Sequence, residues 1–137
     1  MHEYQIIVDW KNTPNAIMKD GKLPDVEVNA PANFGGPDDV WSPEHLFVSS
    51  IASCTMLSFM YFAEQRKVEI KSYESSSKGI LKKGANGFEF ESVIVNAKVE
   101  VSEEQAAKVQ KLAEMGEKYC LVSNSVNCNV EFNVSVK

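Results

Sequence analysis

The sequence predicts an α+β fold, with antiparallel strands and helices set around one long, buried, apolar helix. Three observations predict it. The stretch from Leu46 to Ala63 carries no charge and is too long for a strand. Period-two alternation of apolar residues flanks it on both sides. A second, one-sided helical stripe follows between Ser102 and Tyr119.

Tyr4, Ile6, Val8 and Trp10 alternate with Gln5, Ile7 and Asp9, which reads as a first strand with an apolar face. Asn12-Thr13-Pro14-Asn15 breaks it. Ala16–Met18 then runs into Lys19-Asp20-Gly21-Lys22, where Asp-Gly favours a tight hairpin turn, and Val26, Val28 and Ala30 return. Pro31 to Trp41 is a glycine- and proline-rich loop. Gly35-Gly36-Pro37 reads as plain turn chemistry, with the alternative that Phe34 and Trp41 line a pocket beside the helix start.

Ser42 is placed to cap the central helix, and Pro43 suits its first position. Apolar residues lie all round this helix, so it needs cover on every side. Eighteen uncharged residues rise about 27 Å, the lower limit for a bilayer. Ser49, Ser50, Ser53, Thr55 and Ser58 dilute the hydrophobicity, and the flanking strands want a helix to pack on. The stretch therefore reads as a core helix and not a membrane span.

Arg66-Lys67 mark the helix end. Val68, Ile70, Ser72 and Glu74 start a strand, which Gly79–Lys83 continues beyond a polar irregularity at Ser75-Ser76-Ser77. After a turn at Gly84–Gly87, Phe88 to Val101 forms a long strand, with Ser92 shifting its alternation and pointing to a bulge. Ser102-Glu103-Glu104-Gln105 has the pattern of a capping box ahead of the stripe Ala106, Val109, Leu112, Ala113, Gly116. Cys120–Asn127 reads as a short helix or turn, and Val130, Phe132, Val134 and Val136 as a last strand.

With 137 residues, 44% hydrophobic and 24% charged, the chain 1–137 is expected to form a single domain. A net charge of -5 argues against a nucleic-acid or anionic-membrane partner. No basic-then-apolar leader opens the chain, so a cytoplasmic location is expected. Three cysteines do not make a secreted disulfide framework. The two histidines fall at no metal-ligand spacing, and no phosphate-binding glycine loop is present. One feature strains a monomer: this chain supplies too little to enclose its central helix. A two-fold dimer with the helices packed together would supply the cover.

Cys54 sits at the middle of that helix among small residues. Alone, a buried cysteine is commonly a small hydrophobe. Cys120 adds weight, because it lies where a helix gives way to a polar turn, and two distant cysteines can form a peroxidatic and resolving pair. Cys128 reads as structural. Glu44 supplies negative charge to the first helical turn. It lies ten residues from Cys54, about 15 Å along one helix, so it could meet only the Cys54 of a partner subunit.

Pro43-Glu44-His45-Leu46-Phe47 followed by Ser49–Cys54 (SSIASC) resembles the P-E-x-L-(F/L) … A-x-C signature of the OsmC/Ohr proteins, which are thiol-dependent hydroperoxide reductases. Cys120-Leu121-Val122-Ser123-Asn124 resembles their second motif, C-x-x-S-N. The resemblance covers nearly the whole chain. It implies an OsmC-like fold and an intertwined homodimer with sites at the subunit interface. It also implies that Cys54 attacks an organic hydroperoxide, that Cys120 resolves the sulfenic acid, and that Glu44 joins the polar network around Cys54. An external dithiol would recycle the disulfide, with no cofactor or metal. Phe34, Trp41, Phe47 and Met56 are candidate pocket-lining residues. The sequence departs from the family in one respect. Where the family carries an N-terminal arginine beside the thiol, this chain has none, its one arginine being Arg66. Lys11 is the candidate substitute, without the planar two-pronged contact of a guanidinium. The missing arginine keeps a second reading open, a non-catalytic dimer that binds a small apolar ligand or acts as a stress-associated protein. A general thiol–disulfide oxidoreductase is a weaker third, because no C-x-x-C pair is present.

Overall fold

The computed structural model describes residues 1–137, which cluster into two compact units, Met1–Phe47 and Val48–Lys137.

The first unit is a three-stranded antiparallel meander of β1 (Ile7–Asp9), β2 (Ala16–Lys19) and β3 (Val26–Val28). The chain reverses at the Asp-Gly pair as expected, but through the loop 20–25 between β2 and β3 and not as a tight turn. Asp20 Oδ1 accepts the Lys22 and Leu23 N–H groups at 2.8 and 2.9 Å, and Gly21 takes φ 95°. These two amide bonds hold the Asp20 carboxyl below its ordinary value. Strand β1 is shorter than its alternation suggests because its partner β2 offers only four residues. Tyr4, Ile6, Val8 and Trp10 are exposed in the single chain. In the following loop a Cβ on Gly36 would lie 1.7 Å from the Ala30 carbonyl oxygen, so close backbone approach explains that glycine.

Helix α1 (Pro43–Gln65) starts in the first unit and continues through the second. Ser42 caps it, its Oγ accepting the His45 N–H at 3.1 Å. Its far end closes with Lys67 at φ 56°, the Lys67 N–H on the Glu64 carbonyl (3.1 Å) and the Val68 N–H on the Ala63 carbonyl (2.8 Å). Ala63 and Val68 are both buried beneath this closure. Val68 is thus bonded to the helix, and the strand expected to begin there starts only at Ser72.

The second unit holds a three-stranded sheet in the order β4 (Ser72–Gly84), β5 (Gly87–Glu100), β6 (Asn129–Val136). Strands β4 and β5 form a long antiparallel hairpin with no break at the serines. Ile80 faces Ser92 and Leu81 faces Phe90, so Glu91 is the extra residue of a bulge beside the predicted position. Strand β6 runs parallel to β5, correcting the expectation of an all-antiparallel sheet. The connection between them includes helix α2 (Val109–Lys118), a crossover long enough to bring the chain back to the same end. The capping box does not form. Ser102 makes no side-chain cap bond, and the chain enters α2 through a 3-10 turn over Glu103–Lys108.

The core joins Val93, Val95, Ala97 and Val99 of β5 to Leu112 and Ala113 of α2 and to one stripe of α1: Ile51, Thr55, Phe59, Ala63. Phe59 packs edge-on to Phe132 of β6 and tilted against Tyr73 of β4, with centroids 6.3 and 5.8 Å apart. Where α2 meets α1 only a glycine fits comfortably, since a Cβ on Gly116 would lie 3.2 Å from the Phe59 backbone. By length and composition α1 could cross a membrane, yet here its buried stripe seats on a sheet. The rest of the helix is not enclosed within one chain: Leu57 is 62% and Tyr61 57% exposed.

Candidate functional site

Helical rotation of about 100° per residue sets Cys54 beside Thr55, at the edge of the buried stripe. It is half-buried, among small residues, with the Ser53 hydroxyl turned back onto the Ser49 carbonyl at 2.8 Å. Cys120 follows the end of α2 and is fully buried. The turn after it wraps round its sulfur. The Asn124 N–H donates to the Cys120 carbonyl at 3.0 Å, and Asn124 Nδ2 reaches back to the Lys118 carbonyl at 3.0 Å. Ser123 Oγ then donates to Cys120 Sγ at 3.1 Å. Serine and asparagine in the C-x-x-S-N motif therefore have separate tasks, one on the sulfur and one on the loop.

The Cys54 side chain lies near enough to Cys120 to act on its thiol, and both are free thiols. Burial pushes the Cys120 thiol above its ordinary value. The Ser123 hydroxyl and backbone N–H pull against that, and the adjacent Cys54 sulfur adds to the rise. Cys120 therefore tends to keep its proton. The Tyr73 phenol lies near Thr55 without a hydrogen bond of good geometry, and burial pushes it up to about 12. No three His, Cys, Asp or Glu side chains converge into a metal-ligand set.

The other candidates fall elsewhere. Glu44 is the second residue of α1. With Phe34 and Trp10 it lines a cavity of about 470 Å³ in the first unit. Trp41 stacks edge-on to His45 at 6.1 Å and is not part of that lining. Phe47 and Met56 are half-buried along α1. Lys11 is exposed and pairs with Asp9 at 3.7 Å, a carboxylate that Lys19 shares at 3.6 Å. Cys128 is half-buried just before β6. Sequence reasoning missed Trp10 as a cavity wall. The signal was an aromatic residue at the end of a strand, just ahead of a chain-breaking Asn-Thr-Pro.

Residues 36–135 match the family described as OsmC-like protein. The chain belongs to that family. It is 22% identical over 139 residues to the uncharacterized protein YmaD of Bacillus subtilis, covering 97% of this chain and 92% of that one. Among solved structures it is similar to an OsmC-like protein of unknown function from Vibrio cholerae, with a TM-score of 0.90 at 21% identity over 98% of this chain and 100% of the other. It is also similar to an organic hydroperoxide resistance protein from Elizabethkingia anophelis, crystallised with thiocyanate bound. That likeness has a TM-score of 0.75 at 26% identity, over 99% of this chain and 97% of that one. The OsmC-like fold accounts for the order of elements on both sides of α1.

Proposed function

We propose that this OsmC-like protein is a thiol-dependent peroxidase that reduces organic hydroperoxides, working as a homodimer in the cytoplasm. The observation that carries the reading is the proximity of Cys54 to the buried thiol of Cys120. The Cys54 thiolate attacks the outer peroxide oxygen, and the O–O bond breaks. Cys54 becomes a sulfenic acid, and the alkoxide leaves, taking a proton to become the alcohol. Cys120 then displaces water from that sulfenic acid, forming the Cys54–Cys120 disulfide. An external dithiol reduces the disulfide by exchange and is itself oxidised. The proximity of the thiols suits the second step.

The bare face of α1 supports the dimer. Leu57, Met60, Tyr61, Val68 and Ile70 border an apolar hollow of about 480 Å³, and a second copy of the same helix is the matching occupant. With two such helices antiparallel, Glu44 of one protomer would approach Cys54 of its partner. Lys11 already has a carboxylate partner in Asp9, which weakens its case as the substitute cation.

Peptide mapping after one equivalent of cumene hydroperoxide tests the reading. A Cys54–Cys120 crosslink is expected, and unmodified thiols after that treatment would reject it. The raised Cys120 thiol adds a pH dependence. Resolution needs its thiolate, whose fraction grows about tenfold per pH unit below its pKa. Disulfide formation from pre-formed sulfenate, followed by stopped-flow, is therefore expected to accelerate from about pH 6 to beyond pH 9. A rate flat across that window would show that Cys120 is not the limiting thiol.

A further inference from the structure

The cavity of the first unit combines apolar walls with a single acidic side chain. At about 470 Å³ it falls within the usual range of small-molecule sites. Trp10, Phe34, Pro14 and Pro31 give it aromatic and apolar walls. Its polar side chains are few, and most are already engaged. Asn29 Nδ2 donates to the Pro14 carbonyl at 2.8 Å and to Asn15 Oδ1 at 2.9 Å, while its Oδ1 accepts the Ala30 N–H at 2.7 Å. The Trp10 indole N–H goes to the Thr13 carbonyl at 2.7 Å, which leaves the ring only its carbon surface to offer.

Glu44 is then the one charged residue in the lining, and its Oε1 is shut from solvent with no hydrogen-bond donor. No basic residue lines the cavity, and Lys11, just beyond β1, and Lys19 of β2 both pair with Asp9. A buried carboxylate oxygen without a donor is unfavourable. Aromatic faces are electron-rich and attract cations. An anion would meet the Glu44 carboxylate directly. A neutral hydroxyl could give that oxygen one hydrogen bond but would leave its charge unbalanced, which a cation would not.

We infer that this cavity binds a small organic cation, an amine or guanidinium on an apolar body, with its charge paired to Glu44 and its body against Trp10 and Phe34. The cavity takes in Glu44 and Phe34, which the peroxidase reading also uses, so binding is measured on Cys54→Ser protein, whose lost peroxide chemistry keeps the two judgements distinguishable. Benzylammonium, benzyl alcohol and benzoate carry one ring and three charge states. Their binding to the full chain is measured by calorimetry and by backbone and indole NMR shifts. Benzylammonium is expected to bind at least about tenfold more tightly than benzyl alcohol, and benzoate more weakly than either. The shifts should centre on the Trp10 indole N–H and on Val28–Pro31. Glu44→Gln should bring the amine down to the affinity of the alcohol and leave the alcohol unchanged. Trp10→Leu, at an exposed side chain, should weaken the amine severalfold without altering charge. Equal affinity for amine and alcohol, an amine preference that survives Glu44→Gln, shifts centred elsewhere, or no binding of any probe would each overturn the assignment.

Discussion

Cys54→Ser is expected to lower the consumption of cumene hydroperoxide by on the order of a thousandfold or more, to the level of the uncatalysed reaction. A serine oxygen has nearly the same shape as the sulfur, so the half-buried site keeps its packing. It does not, however, ionise near neutral pH or form the oxidised intermediate. The effect should therefore appear in chemistry and not in folding, with thermal unfolding changed by less than about 1 kcal/mol. Cys120→Ser should behave differently. Its Cys54 still attacks once, so a burst of one alcohol per chain is expected, followed by a stall. The stalled species should be a Cys54 sulfenic acid that dimedone labels. Peroxide assay, burst amplitude and mass spectrometry distinguish the two variants. Full turnover by Cys54→Ser would reject the mechanism at its first step, whereas undiminished turnover by Cys120→Ser would reject only the resolving step.

Features that depend on local chemistry were legible before the fold was seen. Ser42 and Pro43 start α1 as read, the chain reverses at Asp20-Gly21, and the shift near Ser92 is a bulge. What escaped depends on partners distant in sequence. Alternation along β6 tells which face is buried but not which way the strand runs, and its parallel direction follows from the crossover through α2. Ser102 has the residues of a capping box, yet the Gln105 N–H bonds to the Ser102 carbonyl at 2.9 Å in a 3-10 turn, and the side-chain cap is not formed. The motifs singled out Cys54 and Cys120, but their proximity needs α2 to cross α1 at Gly116, and no local pattern encodes that. Phe34 and Glu44 share a cavity while Trp41 turns to His45, because loop geometry decides where each ring ends up.

Phe59→Ala is expected to cause the largest loss of stability of any single truncation in α1, about 3–5 kcal/mol. The ring is fully buried and wedged between Phe132 and Tyr73, and Gly116 of α2 lies directly on its backbone. Those neighbours sit on three separate elements, β6, β4 and α2, so collapse into the vacated space would require shifting the sheet against both helices. The cavity should therefore persist, and its cost with it. For a chain of this length the melting temperature should fall by roughly 10–15 °C. The same change bears on the thiols. Cys120 is held beside Cys54 by α2, whose approach to α1 is fixed at the Gly116–Phe59 crossing. A looser crossing lets the sulfurs drift, so disulfide formation after oxidation should slow even at temperatures where the variant is folded. Leu57→Ala is the internal contrast, because Leu57 is 62% exposed in the single chain. If the outer face of α1 were free, that change would cost no more than about 0.5 kcal/mol. With a second copy seated there, the cost rises and the melting temperature depends on protein concentration. A Phe59→Ala loss below about 1 kcal/mol would mean that α1 is not seated on the sheet through this ring, and the registration of the two cysteines would need another cause.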